Sequence, residues 1–325
     1  MTQRTIRQVG HATDTGKKRR RNEDDYVVEP PLFAVADGMG GAQAGEVASR
    51  LAASALEGGD SDRLQGLERL DALIQEANRR IYDRATTDPS ASGMGTTMTV
   101  ALVEGMTVAI GHVGDSRAYL VRGEHMEQLT EDHSLVNELL KTGKLSEEEA
   151  QVHPQRSVIT RAVGTDPDVD VDAFTIDSEE DDVFLLCSDG LTDMVEDEEI
   201  LELVHEHRDN LDKAVQALVA AANRGGGDDN ITAVAFRISS EAAPSTEDTV
   251  AMPAISEDET EPDEQTREYA QAQHDPRADT MVVAPGDIPE QLTAPGPDAR
   301  RVRIVLLGLL ILVLVAALIV WRLLR

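Results

Sequence analysis

Aromatic side chains are nearly missing from this sequence: one Trp, four Tyr and four Phe in 325 residues. Its core must therefore be built from Val, Leu, Ile and Ala. Apolar residues reach 41% in all, enough for one large or two medium domains. Cysteine is missing but for Cys187, inside the apolar run VFLLC, so no intrachain disulfide can form and a reducing compartment suits the chain. Positive charge is scarce too. The 30 Lys and Arg, of which only five are Lys, face 61 Asp and Glu, for a formal net charge of −31. That balance excludes nucleic acid as a partner, because its backbone needs Lys and Arg to release counterions. An acidic surface also suits solubility at high salt. No His/Cys cluster has zinc spacing. No Lys-Ser/Thr pair follows the glycines of GMGGAQAGE, as a P-loop requires. The neighbouring strands read as antiparallel, which disfavours a dinucleotide-binding βαβ unit.

The N-terminal MTQRTIRQVG lacks an apolar run, so no secretory signal is expected. The C-terminus is the opposite. Ile304 to Trp321 forms 18 residues without a charge, a span of about 27 Å as a helix against a hydrocarbon core of roughly 30 Å. Arg300, Arg301 and Arg303 flank one side and Arg322 and Arg325 the other, with Trp321 where an interfacial aromatic belongs. This predicts one transmembrane helix over 304–324, single-pass in the cell inner membrane, with residues 1–303 cytoplasmic. Between Ser239 and Arg300, 15 acids face two arginines ahead of the terminal basic cluster, and apolar periodicity is lost. Residues 239–303 thus read as a disordered acidic linker, with a root-mean-square reach on the order of 45 Å. The globular domain is residues 1–238.

Within that domain, TTMTVALVEGMTVAIGHVGDSRAYLVRG reads as consecutive strands with short Gly-containing turns, an antiparallel meander. Helices are predicted over AQAGEVASRLAASALEG, ending at a Gly-Gly pair, and over the stretch where Leu64, Leu67, Leu70, Ile74, Ala77 and Ile81 recur at helical spacing. Ser146 and Glu149 have capping-box spacing. Two further helices, about 197–207 and 211–223, separate the strands VFLLC and NITAVAFRI. Helices segregated from runs of neighbouring strands indicate an α+β domain with antiparallel sheets.

The chemistry-bearing pattern is a set of acids at strand ends. FAVADGMGG and FLLCSDGLTD each deliver an Asp-Gly pair at the end of an apolar strand, Asp37-Gly38 and Asp189-Gly190. Asp229 follows RGGGD before the last strand, and Asp115 lies at the turn in GHVGDSRAY. One such acid alone is ordinarily a turn residue. Four converging on one point would repel, and protons or hard cations such as Mg²⁺ or Mn²⁺ relieve that repulsion.

TDTGKKRRRNEDDY, VADGMGG, GTT, GHVGDSRAYL, LTEDHS, ITRAVG, CSDGLTD and GDDNITAV occur in the order, and at about the spacing, of the metal-dependent Ser/Thr protein phosphatases of type 2C. The chain resembles that family over residues 5 to 238, most of all its bacterial membrane-tethered kind. The resemblance implies a β-sandwich of two antiparallel sheets flanked by helices on both faces, with the site at one end. It implies two Mg²⁺ or Mn²⁺ ions bridged by Asp37. The Gly38 carbonyl would bind the second ion, and Asp189 and Asp229 would complete the shell of the first. Asp115, with Asp189, would hold a third, weaker ion. Glu23 and Asp24 would bond the waters on the metals. The family spacing Asp-x-Gly-x-x-Arg, laid on Asp14 and Gly16, selects Arg19 rather than Arg20 or Arg21 as the phosphate binder.

The implied reaction is direct attack on the phosphorus of phosphoserine or phosphothreonine by hydroxide held between the two metals, without a covalent phosphoenzyme. Met39 stands where eukaryotic relatives carry a histidine directly after the Asp-Gly pair, so the acid for the leaving alkoxide is open, with a metal-bound water the first expectation. The segment 134–161 resembles the family's flap beside the site. The expected role is to oppose a bacterial Ser/Thr kinase. The alternatives are a membrane-anchored phosphoprotein-binding module without catalysis and a phosphatase of a sigma-factor partner-switching regulator. Intact Asp37, Asp189 and Asp229 favour catalysis. The linker carries two similar stretches, EDTVAMPAI and ADTMVVAPGDI, whose Thr249 and Thr280 are candidate phosphorylated docking sites for a phosphothreonine-reading domain or the cognate kinase.

Overall fold

The computed structural model describes residues 6–40, 44–57, 64–239 and 281–282. One sheet runs β1 (Ile6–Asp14), β12 (Ile231–Ile238), β11 (Val183–Cys187), β7 (Arg117–Arg122), β8 (His125–Gln128). The other runs β10 (Asp172–Asp177), β6 (Thr107–Val113), β5 (Met98–Glu104), β3 (Leu32–Met39), β2 (Asp24–Glu29), with β4 (Gly95–Thr96) added to β3. Every pairing within both sheets is antiparallel.

The helices form the outer layers. α1 (Ala44–Glu57) and α2 (Gly66–Thr87) cover the β2–β3–β5–β6 side. α5 (Asp189–Thr192), α6 (Asp197–Glu206) and α7 (Leu211–Gly225) cover the β1–β12 side. The segment 134–161 holds α3 (Leu135–Lys141), α4 (Glu147–Gln151) and β9 (Val158–Ile159). Ser146 and Glu149 form the reciprocal capping box that their spacing predicts.

The apolar runs that mark β3 and β11 are continuous because both of their faces are buried. Phe33 and Val35 of β3 point into the inter-sheet core, while Ala34 and Ala36 meet the Ala48 and Ala52 surface of α1. On β11, Phe184 and Leu186 face inward, and Leu185 and Cys187 face the helices. The scarce aromatics are concentrated here: Phe236 stacks on Phe33 at 4.2 Å and on Phe184 at 5.2 Å between centroids. Each buried phenyl contributes about 1.5–3 kcal/mol.

The meander expectation is corrected in one place. β5–β6 and β7–β8 are hairpins, but β6 and β7 belong to different sheets. The chain crosses the sandwich at Gly114, whose φ of +111° and contact with Thr97, 2.6 Å from where a Cβ would stand, admit only glycine. Asp115 therefore sits at the end of the sandwich, between the two sheets' strands. The expected transmembrane helix, Thr249 and Thr280 lie outside the described residues, as does most of the linker. Among the described residues no helix is long and apolar enough to cross a membrane. Met281–Val282 of the linker forms β13, pairing in parallel with β9.

Candidate active site

Asp37 lies near the end of the inner strand β3 and is fixed through its backbone by the GTT motif. Its carbonyl accepts from the Thr97 N–H at 2.8 Å and the Thr96 hydroxyl at 2.8 Å, and its own N–H donates to Thr97 Oγ1 at 2.9 Å. Thr97 Oγ1 lies 2.7 Å from Ser116 Oγ, which ties Asp37 to the turn bearing Asp115. Gly38 permits a close approach: a Cβ there would stand 2.1 Å from the Gly45 carbonyl oxygen. Asp24 is the register partner of Asp37 on β2. Its Oδ2 accepts from Ser188 Oγ at 2.8 Å, which places β2 beside the Asp189 turn.

The loop after β1 explains why Arg19 differs from its neighbours. Gly16, at φ +74°, backs against the Asp229 carbonyl. The Lys17 N–H donates to the Gly227 carbonyl at 2.7 Å, and Asp14 Oδ1 accepts from the Gly16 N–H and from Asn223 Nδ2. Arg19 is thereby turned inward, its side chain 20% exposed and 2.8 Å from Asp229 Oδ2. Arg20 lies exposed, and Arg21 is half-exposed with its guanidinium 3.8 Å from Glu46. Asn230, which sequence reasoning passed over, clamps this loop. Its Oδ1 accepts from the Glu23 N–H at 2.7 Å, and its Nδ2 donates to the carbonyls of Thr15 and Arg21. The polar pair following Asp229 and the buried strand after it were the only signal for it.

The structure brings Asp37, Asp24, Asp189, Asp229 and Asp115 to one end of the sandwich. Burial, then the charges of Asp24, Asp189, Asp229 and Asp115, raise the Asp37 pKa well above the carboxylate range. Asp189 is raised likewise, by burial and by Asp115, Asp229 and Asp193. Asp115 is pushed up to about 7 by burial, then by Asp132 and Asp193, against Arg117. Asp24 is pushed up to about 6, chiefly by burial. Asp193 is a further acid that the sequence reading did not assign. It pairs with Arg156 at 3.3 Å, and burial raises its pKa.

The fit of these residues to a cation rests on three observations. Asp189 Oδ1 and Asp24 Oδ1 are buried and accept no hydrogen bond among the described residues. A small space of about 10 Å³ lies among Arg19, Glu23, Asp37, Gly38 and Asp229, about the size of one water or ion. The donors are all oxygen, as Mg²⁺ and Mn²⁺ prefer. No three acidic, His or Cys side chains among the described residues converge closely enough to enclose an ion as they stand. Beside this space lies an open groove of about 650 Å³ whose walls include Asp115, Asp189, Asp193, Arg117, Asp132 and Arg156.

The other nucleophile and acid candidates are occupied elsewhere. Cys187 is fully buried with its thiol pushed up to about 12. Burial brings His112 down to about 4, and its ring nitrogens meet Thr99 Oγ1 and the Glu131 carbonyl. His133 accepts from the Gly114 N–H and faces Asp172 and Arg161 through Nε2. His153 Nδ1 accepts from the Gln155 N–H.

The fold is thus an antiparallel sandwich between helix layers, with a carboxylate cluster and the inward Arg19 at its end. The sequence profile of the protein phosphatase 2C family matches residues 17–225, and the chain belongs to that family. It is 42% identical over 231 residues to the serine/threonine phosphatase stp of Listeria innocua, covering 68% of this chain and 91% of that one. It is also 42% identical over 224 residues to the serine/threonine protein phosphatase PstP of Mycobacterium tuberculosis, covering 68% of this chain and 43% of that protein. The crystal structure of Mycobacterium tuberculosis PstP/Ppp superposes with a TM-score of 0.67 at 38% identity, covering 72% of this chain and 99% of that one. A structure of the PstP catalytic domain in complex with two manganese ions gives 0.66 at 37% identity, with the same coverage.

Proposed function

We propose that this protein hydrolyses phosphoserine and phosphothreonine in proteins by direct attack of water on phosphorus, and that it opposes a Ser/Thr kinase from a membrane tether. The observation that carries the reading is the half-buried Asp24–Asp37–Asp189–Asp229 cluster, where burial and mutual repulsion raise the Asp37 and Asp189 pKa values while Asp229 is paired with Arg19. Asp37, the Gly38 carbonyl, Asp189 and Asp229 would hold two divalent cations, Mg²⁺ or Mn²⁺, and Asp115 with Asp189 a third. Asp24 and Glu23 would orient waters around them. When bound, the cations supply an acidified nucleophilic water and neutralise phosphoryl charge.

Arg19 does the remaining electrostatic work. Its ion pair with Asp229 fixes the guanidinium at the edge of the acid cluster, where it meets the equatorial oxygens of the phosphoryl group. Neither Cys187 nor a histidine serves as nucleophile or base, because burial keeps the thiol protonated and the His112 and His133 rings are bonded within the fold. Met39 has no proton to give, so water protonates the leaving alkoxide. The membrane reading is supported by the uncharged run 304–321 with its flanking arginines. Thr249 and Thr280 are proposed as sites through which a kinase or a phosphothreonine-reading domain engages the linker.

The test is phosphate release from a phosphothreonine peptide by the full chain with Mn²⁺ or Mg²⁺, beside Asp37→Asn. Metal-dependent release that the variant loses is the expected result. Release indifferent to metal, or retained by Asp37→Asn, overturns the reading.

A further inference from the structure

The linker motif ADTMVVAPGDI is not accounted for by the catalytic reading, yet two of its residues have a defined place. Met281 and Val282 pair in parallel with Val158 and Ile159. β9 thus has two neighbours, since Ile159 also bridges Ser134 in the antiparallel sense on its other side. Without β13, β9 would present one open backbone edge, a template for any extended segment.

The position of that edge matters. Ile159 is fully buried against Met39 and Ala162, so β9 rests on the residue that follows Asp37-Gly38. Val158 packs on Leu135 and Leu139 of α3. Arg156, two residues before β9, lines the open groove together with Asp115 and Asp189. β9 therefore lies between Arg156 on the wall of the groove and Met39, which borders the space among the acids.

We propose that the β9 edge is a docking edge for extended segments, and that the chain's own Met281–Val282 strand occupies it in competition with phosphoprotein substrates. The inference rests on the phosphatase reading for its consequence but not for the docking itself. Residues 240–280 are 41 in number, and a chain of that length spans up to about 140 Å, so the tether does not prevent the contact. A two-residue pairing is weak between separate molecules, but a tether raises the local concentration of the segment into the millimolar range. Occupancy in cis is then substantial yet displaceable, which suits a competitor.

The test compares the full chain with Met281→Pro/Val282→Pro, since proline cannot donate to a ladder and the changes lie outside the catalytic domain. Amide exchange at 157–160 reads docking independently of activity. The KM for a phosphothreonine peptide reads competition, and metal-activated turnover of a small aryl phosphate reads the catalytic centre. Expected are faster exchange at 157–160 and a KM about two- to ten-fold lower in the proline variant, with kcat and aryl phosphate turnover unchanged. Unaltered exchange overturns the docking. Altered exchange with unaltered KM overturns the competition. An absence of aryl phosphate turnover in the unmodified chain counts against the phosphatase reading alone, and the exchange result still decides the docking.

Discussion

Ile159 lies over Met39. The two side chains, 0% and 5% exposed, belong to one small cluster with Ala162, and through them the segment 134–161 rests directly on the end of the strand that carries Asp37. The contact couples the position of that segment to the acid cluster by packing, alongside the ion pair between Arg156 and Asp193.

Truncating this contact should loosen the segment. Ile159→Ala is expected to cost about 2–5 kcal/mol, read by denaturant unfolding. It should raise KM for a phosphopeptide more than it lowers turnover of a small aryl phosphate. Equal effects on both substrates would mean that the segment supports the fold without shaping substrate binding.

Arg19→Ala removes a guanidinium held 2.8 Å from Asp229. kcat/KM should fall by about 10²-fold, while Arg19→Lys recovers part of the charge without the planar fork. Arg20→Ala, at an exposed neighbour, should leave kcat/KM within about two-fold of the parent, since a solvated surface charge contributes little. Steady-state kinetics on one phosphopeptide checks all three.

Asn230→Ala breaks three hydrogen bonds, to Glu23, Thr15 and Arg21, at a buried position. A stability loss of about 2–4 kcal/mol is expected, together with lower kcat/KM because the Arg19 loop is no longer clamped. Asn230→Asp retains only the acceptor and should recover little of either. Urea titration alongside kinetics separates the two effects.

Metal and pH should act together on stability. The Asp24 and Asp115 pKa values, at about 6 and about 7, are raised above the ordinary carboxylate range chiefly by burial. In metal-free protein each group therefore adds to stability below about pH 4, and that contribution is lost as pH rises through 6–7. Bound cations replace the lost protons at high pH and compete with them at low pH. Saturating Mn²⁺ at 100-fold over its Kd adds about 2.7 kcal/mol, roughly a 5–10 °C rise in Tm for a domain of this size. That rise is expected at pH 8 and should nearly vanish at pH 5. Differential scanning calorimetry with and without EDTA at the two values checks it.

Much of this was legible in the chain. The helices α2, α6 and α7 follow apolar spacing and α4 its capping box, and the Asp-Gly pairs at the ends of VFLLC and FAVA stand at one end of the sandwich because both strands run through its core. What the sequence hid was non-local. The crossing at Gly114 looks like a hairpin turn, because a glycine of positive φ serves either purpose. Its true role depends on its contact with Thr97, just before β5, which no periodicity marks. Arg19 could be separated from Arg20 and Arg21 only by family spacing; the physical reason is the backing of Gly16 against Asp229, more than 200 residues away. Asn230 and Asp193 carry no periodic signal, since their value lies in which loops they join. β13 was unreadable for the same reason, as two residues have no period.

The account stands most directly on phosphate release from a phosphothreonine peptide by the full chain, followed while Mn²⁺ is titrated into EDTA-treated protein. It predicts no release without metal, saturable activation on addition, and loss of that activation in Asp37→Asn and Asp189→Asn. Release at an unchanged rate in EDTA, or full activation of either variant, would contradict it.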